Sequence, residues 1–173
     1  IHRLAHMVDT QRFAEGAQAA RASGAADQLR ARHGVARGDF VFLFAGKLIP
    51  LKQPQLLLEA FRRLTSLEPK AHLWIVGDGP LQAELAALAA STERASLLGF
   101  VNQAQLPEVY TAGDCLVLPS SSEETWGLVV NEAFACGVPA IVSERAGCAP
   151  DLIGPDTGWI VDPVDLPTLA RVM

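Results

Sequence analysis

The sequence is poor in the residues that build metal centres, disulfide scaffolds and membrane spans. It has three cysteines in 173 residues, Cys115, Cys136 and Cys148. Their spacing fits neither a bridged framework nor a zinc site. They lie among apolar and small residues and read as reduced thiols of a cytosolic protein. The four histidines, His2, His6, His33 and His72, are scattered, with no pair at metal-ligand spacing. No apolar run approaches the roughly 18 residues that a membrane-spanning helix needs. The opening IHRLAHMVDT lacks the basic-then-apolar order of a signal peptide. Positive charge is also scarce: 14 Lys and Arg against 19 Asp and Glu leave a net charge of −5. That is no basic patch and no electrostatic case for nucleic acid. There is no internal repeat and no low-complexity linker.

What is present is a globular composition. Half of the chain is apolar, and the length suffices for one domain with a sizeable core. The chain does not begin with Met, and DLPTLARVM at its end falls inside a helical pattern, so it reads as a piece of a longer protein. FVFLFAG at 40–46 is a continuous apolar run ending in glycine, as a parallel strand buried on both faces requires. A helix follows with Pro54 in its first turn; Leu57, Phe61, Leu64 and Leu67 recur at helical spacing, with Glu59, Arg62, Arg63 and Ser66 facing out. Further strands are expected at 72–77, 95–98, 114–118, 139–143 and 158–161, and helices at 81–90, 103–112 and 127–136, before a terminal helix. Alternating strand and helix predicts an α/β fold with a doubly wound, Rossmann-like parallel sheet. Residues 1–33 differ: they are Ala-rich and weakly periodic, and read as a leading segment with a helix ending near Gly34. Residues 34–173 form the main domain, cut within its terminal helix.

In such sheets ligands bind at the carboxyl ends of the strands, so the chemistry is sought in those loops. AGKLIPLK at 45–52 carries Lys47 and Lys52 at the start of a helix, where the helix dipole disfavours cations. A phosphate or diphosphate seated among them would explain their placement; two solvated surface lysines is the plainer alternative. GDGP at 77–80 makes a tight turn. It superficially suggests a dinucleotide fingerprint, but Gln82 stands where the third glycine belongs and the turn follows the second strand, so a dehydrogenase reading is weak. GFV at 99–101 offers an apolar edge that could hold a flat base, or could simply pack the core.

PSSSEETWGLVVNEAFACGVPAIVS at 119–143 holds two carboxylates eight residues apart, Glu124 in a loop and Glu132 in a helix. The helical neighbours of Glu132 are Leu128, Val129, Ala135 and Cys136, so its own face is apolar. An unpaired carboxylate there would cost several kcal/mol. It must pair with an internal cation, take up a proton, or project into a polar cleft, where it could accept two hydrogen bonds from a ribose. Glu123 reads as exposed. Gly127 allows close backbone approach as the helix begins, and the first-turn N–H groups of Leu128, Val129 and Val130 point towards the cleft.

Together these stretches resemble the C-terminal, donor-binding domain of a retaining glycosyltransferase of family 4, one half of a GT-B architecture. Glu124 and Glu132 match that family's E-x7-E element, and the 25 residues around them are similar to it. AGKLIPLK resembles its G-R-L-x-x-x-K stretch. VGDGP, LGFV, YTAGD and AGCAPDLI fall in the family's order, and HMVDTQRF at 6–13 resembles the segment after the interdomain linker.

The resemblance implies a donor site without metal or other cofactor, occupied by a nucleotide-diphosphate sugar. It assigns Lys47 and Lys52 to the diphosphate, Glu132 to the ribose hydroxyls and Glu124 to the transferred sugar, with Gly46 also in the donor site. It lays Gly127, Leu128 and Val129 against sugar and phosphate, and Phe100 and Val101 along the base. Catalysis would rest on Glu124, Lys47 and Lys52, with Glu124 positioning the sugar and not acting as nucleophile. The acceptor, a glycan or lipid-linked molecule as in polysaccharide biosynthesis, would bind a separate N-terminal domain. Residues 1–173 alone are then expected to bind nucleotide weakly and to transfer no sugar. The expected location is cytoplasmic, with room for peripheral association of the intact protein at the inner face of a membrane. Two positions depart from the family pattern: Lys47 stands where Arg is usual, which loses bidentate phosphate recognition but keeps the charge, and Gln53 stands where Gly is usual. A GT-B nucleotide-sugar epimerase and a non-catalytic nucleotide-binding module are the rival readings. The base, the sugar and the oligomeric state are not legible.

Overall fold

The computed structural model describes residues 8–121, 124–162 and 166–173. The expectations for Glu123, His2 and His6 lie outside the described residues. Two helices come first, α1 (Thr10–Ser23) and α2 (Ala25–Arg32). Where the sequence suggests one helix ending near Gly34, the chain breaks at Gly24, whose left-handed φ of 72° ends α1 and opens α2. Asp9 caps α1 by accepting from the Arg12 N–H at 3.0 Å.

Six strands follow, β1 (Phe40–Ala45), β2 (Ala71–Val76), β3 (Ala95–Gly99), β4 (Cys115–Leu118), β5 (Ala140–Ser143) and β6 (Gly158–Val161). They are linked by α3 (Pro54–Leu64), α4 (Gln82–Ala90), α5 (Leu106–Ala112), α6 (Leu128–Ala135) and α7 (Ala149–Leu152), and α8 (Leu166–Val172) comes last. All the pairings are parallel, and the sheet order is β3-β2-β1-β4-β5-β6. This is the doubly wound, Rossmann-like sheet expected from the alternation of strands and helices. The order reverses between β1 and β4, which places a ligand-binding crevice at the carboxyl ends of those two strands.

Strand β1 shows how the sheet holds its layers. Val41, Leu43 and Ala45 enter one buried cluster with Phe13, Trp74, Tyr110 and Val130. Phe42 and Phe44 enter a second with Leu57, Phe61, Ile75 and Leu85. The period-two alternation therefore feeds both faces of one sheet, and each large apolar side chain buried in this way contributes about 1.5–3 kcal/mol. Helix α3 follows the sequence pattern through Leu64, but Leu67 is 76% exposed because the helix ends before it. The apolar period outruns the helix by one turn.

Gln53, at the start of α3, sits in the left-handed region at φ 50°, ψ 44°. An L-residue pays about 1–2 kcal/mol there, whereas glycine pays only its greater unfolded-state entropy of about 0.5–1 kcal/mol. Gln53→Gly is therefore expected to stabilise the fold by roughly 0.5–1 kcal/mol, read as a rise in the midpoint of denaturant unfolding. A lowered midpoint would show that the side chain of Gln53 is worth more than the strain.

Candidate functional site

The loops after β1, β2 and β3 converge with α5 and α6 on a cleft of about 270 Å³. Of the residues singled out from the sequence, Gly46, Lys47, Phe100, Val101, Val129 and Glu132 line it. Lys47 is exposed and Phe100 is 71% exposed, so both stand at the rim. Asp78, from the GDGP turn, faces the same space.

The loop carrying Lys47 is fixed by backbone. The Gly46 N–H donates to the Val76 carbonyl at 3.0 Å and the Leu48 N–H to the Asp78 carbonyl at 2.7 Å. The GDGP turn is thus more than a change of direction: it is the wall against which the phosphate-loop candidate is laid.

Glu132 is half-buried on α6, and its partner is a phenol. The Tyr110 hydroxyl donates to Glu132 Oε2 at 2.7 Å. Among the described residues, no Lys or Arg comes within ion-pair distance of it. Burial pushes the Glu132 carboxyl above its ordinary range, against the opposing pull of the Tyr110 hydrogen bond and the Arg12 charge. The same burial, reinforced by the neighbouring carboxylate, pushes the Tyr110 phenol well above its ordinary range. Tyr110 therefore remains a donor throughout the pH range in which Glu132 titrates. The structure places this carboxylate in the lining of a cleft, with a neutral donor and, among the described residues, no cation as its partner.

The sequence pattern does not mark Tyr110 as a site residue. In YTAGD it looks like one more core aromatic at the end of a short helix. The available signal was chemical: a phenol on an apolar helix needs a hydrogen-bond partner when buried.

Lys52 and Glu124 do not join the lining of this cleft. Lys52 ends a 3-10 turn, Pro50–Lys52, and forms a salt bridge with Glu124, to which the buried Ser120 hydroxyl also donates at 3.0 Å. The pair is nearly buried, with side-chain exposures of 17% and 12%. Main-chain bonds hold it in place: the Ser121 N–H donates to the Leu51 carbonyl, and the Gly147 N–H to the Glu124 carbonyl, each at 2.9 Å. Of the two lysines expected to share one anion, Lys47 lines the cleft and Lys52 is paired with Glu124.

Gly127 joins the two groups. At φ 98° it caps α6, and a Cβ there would lie 2.7 Å from Leu118 Cδ2 and 3.8 Å from Glu124 Cγ. No side chain caps α6. The Val130 N–H turns back to the Gly127 carbonyl at 2.9 Å, and among the described residues the N–H groups of Leu128 and Val129 are left as orphan donors at a positive dipole end. Among the described residues, no group of three or more His, Cys, Asp or Glu could hold a metal ion. No helix of the described residues is long and apolar enough to cross a membrane.

Cavity size alone would point elsewhere. A groove of about 810 Å³ runs past Arg30, Asp39 and Asp114 at the amino ends of β1 and β4. There Arg30 binds Asp114 at 2.8 Å and the Asp39 carbonyl at 2.6 Å, and the Val41 N–H donates to Asp114 at 2.8 Å. These groups satisfy one another, and the groove lies at the wrong end of the sheet for ligand chemistry.

The sequence profile of the family "Glycosyl transferases group 1" matches residues 25–173. The chain belongs to that family. D-inositol 3-phosphate glycosyltransferase of Rhodococcus opacus is 36% identical over 149 residues, covering 80% of this chain and 33% of that protein. Sulfoquinovosyl transferase SQD2 of Arabidopsis thaliana is 37% identical over 113 residues, covering 63% of this chain and 22% of that protein. Among solved structures, HepE of Anabaena in complex with UDP-glucose matches with a TM-score of 0.73 at 28% identity, over 85% of this chain and 41% of that one. WaaG, a glycosyltransferase involved in lipopolysaccharide biosynthesis, matches with a TM-score of 0.72 at 23% identity over 84% of this chain and 40% of that one, and shows the shared fold. The group 1 chain described here thus spans a third or less of the length of these two curated relatives.

Proposed function

We propose that this group 1 chain is the donor-binding unit of a family 4 retaining glycosyltransferase, which moves a sugar from a nucleotide-diphosphate sugar to a glycan or lipid-linked acceptor. The observation that carries the reading is Glu132: a half-buried carboxylate facing a cleft at the sheet's switch point, partnered by a phenol and not by a cation. HepE, solved with UDP and with UDP-glucose, supports a nucleotide-sugar donor.

In this reading Glu132 accepts the vicinal ribose hydroxyls, and Phe100 and Val101 border the base. Lys47 and the N–H groups of Leu128 and Val129 stabilise charge on the departing diphosphate. Lys52 contributes its charge from the salt bridge with Glu124, and Glu124 orients the transferred sugar from the same pair. That supply of positive charge lets the reaction proceed without a metal. Glu124, already engaged by Lys52 and Ser120, is a positioning group and not a nucleophile. The acceptor would sit on a separate N-terminal domain, in a cytoplasmic protein able to work beside a membrane.

Calorimetric titration of the intact protein with UDP, GDP and ADP tests the reading. One of the three is expected to bind clearly better than its nucleoside. Lys47→Ala should weaken that diphosphate about tenfold, the loss of one charge-assisted contact, and leave the nucleoside unaffected. Equal binding of diphosphate and nucleoside, or an unchanged diphosphate affinity in the variant, would remove the diphosphate from this loop.

A further inference from the structure

Tyr110 is completely buried on α5, with its ring edge-on to Phe13 on α1 at 6.0 Å and 69°. A phenol so placed must find an acceptor. It donates not to a nearby carbonyl but across to α6, to Glu132 Oε2. Glu132 Oε1 has no hydrogen-bond partner among the described residues. The carboxylate is therefore held by one oxygen from the core side while its residue lines the cleft.

We propose that Tyr110 is a positioning residue: its phenol fixes one oxygen of Glu132 so that the other is presented to the vicinal hydroxyls of the donor's ribose. This rests on the donor-site reading above and adds to it a buried residue at the cleft wall that acts through Glu132. Two effects follow. The bond restricts rotation of a flexible side chain, so less order is lost when ribose binds. It also stabilises the charged form of Glu132, the form that accepts from both hydroxyls, against the burial that opposes it. The other charged or titratable groups facing Glu132 are Arg12 from α1, Cys136 on its own helix, and Lys47 and Asp78 across the cleft. Arg12 favours the same charged form and cannot replace the directed bond.

The test uses the intact protein, whichever of UDP, GDP and ADP binds best, and the 2′,3′-dideoxy form of that nucleotide. Their affinity ratio isolates the ribose hydroxyls. In Tyr110→Phe the ratio is expected to fall about fivefold to tenfold, with the dideoxy affinity unchanged. The pH midpoint below which the ratio collapses should move upward, because an aid to ionisation has gone. In the Glu132→Gln background, Tyr110→Phe should alter the ratio no further. Equal weakening of both nucleotides, or an unchanged ratio and midpoint, would make Tyr110 a core residue only. If no diphosphate binds the unaltered protein, the donor-site reading fails and this role fails with it. If wild-type protein discriminates ribose and only the Tyr110 arm is silent, this role alone fails. Should Tyr110→Phe not fold, 3-fluorotyrosine introduced at position 110 keeps the ring and makes the phenol a stronger donor. The midpoint should then move downward, and a fixed midpoint would overturn the proposal.

Discussion

Glu132→Gln is expected to bind nucleoside diphosphate about 10- to 100-fold more weakly than wild type, the loss of hydrogen bonds to a charged acceptor, and yet to melt at the same or a higher temperature. The two halves of this result come from one cause. Burial raises the carboxyl's pKa in the folded chain. The folded state then binds the Glu132 proton more tightly than the unfolded state does, so stability contributed by this group falls as pH rises from the unfolded to the folded value. Above that window the charged carboxylate is a standing cost. Glutamine removes the cost and still offers an oxygen to the Tyr110 phenol. For binding the sign is opposite: the charged form is the useful one, so wild-type affinity should decline on acidification earlier than an ordinary glutamate would dictate. Paired thermal melts and calorimetry at several pH values would check both. A variant that melts lower and binds as well as wild type would place the ligand elsewhere and make Glu132 a structural residue.

Gly77→Ala should be the most damaging small substitution near the cleft. Gly77 has φ +140°, and a Cβ built on it would lie 1.8 Å from the Gly46 carbonyl oxygen. The neighbour is backbone and is itself tied to Val76, so it cannot swing aside. Strain at the dihedral and forced separation of the two loops each cost about 1–3 kcal/mol. A total near 3 kcal/mol corresponds to a fall in melting temperature on the order of 10 °C for a domain of this size. Nucleotide affinity should drop with it, because the displaced carbonyl belongs to the residue before Lys47. A melting temperature within about 2 °C of wild type would show that the loops can part cheaply.

The sheet was legible because its signal is local. FVFLFAG is a short apolar run ending in glycine, as a strand covered on both faces uses, and all of the strand but Phe40 is buried. The break at Gly24 was not legible, since Ala-rich sequence on both sides carries little periodicity. Leu67 misled because apolar spacing does not record where a helix stops. At the site, the residue types were readable and their grouping was not. Glu132 announced itself as a charge on an apolar helix, but its partner lies 22 residues away on another helix. Lys52 and Glu124 are 72 residues apart, and only the folded chain shows that they pair while Lys47 stands at the cleft.

The first helix has a consequence beyond its own stability. Helix α1 lays Phe13 against the ring of Tyr110, Arg12 donates to the Gln103 carbonyl ahead of α5, and Arg21 donates to the Cys136 carbonyl at the end of α6. It is a clamp across the two helices whose side chains meet at the cleft. Trimming the protein to begin after this helix would not shed an inert arm. It would unlatch the back of the cleft, and a tug on the chain at Asp9 would be felt at the Tyr110–Glu132 bond.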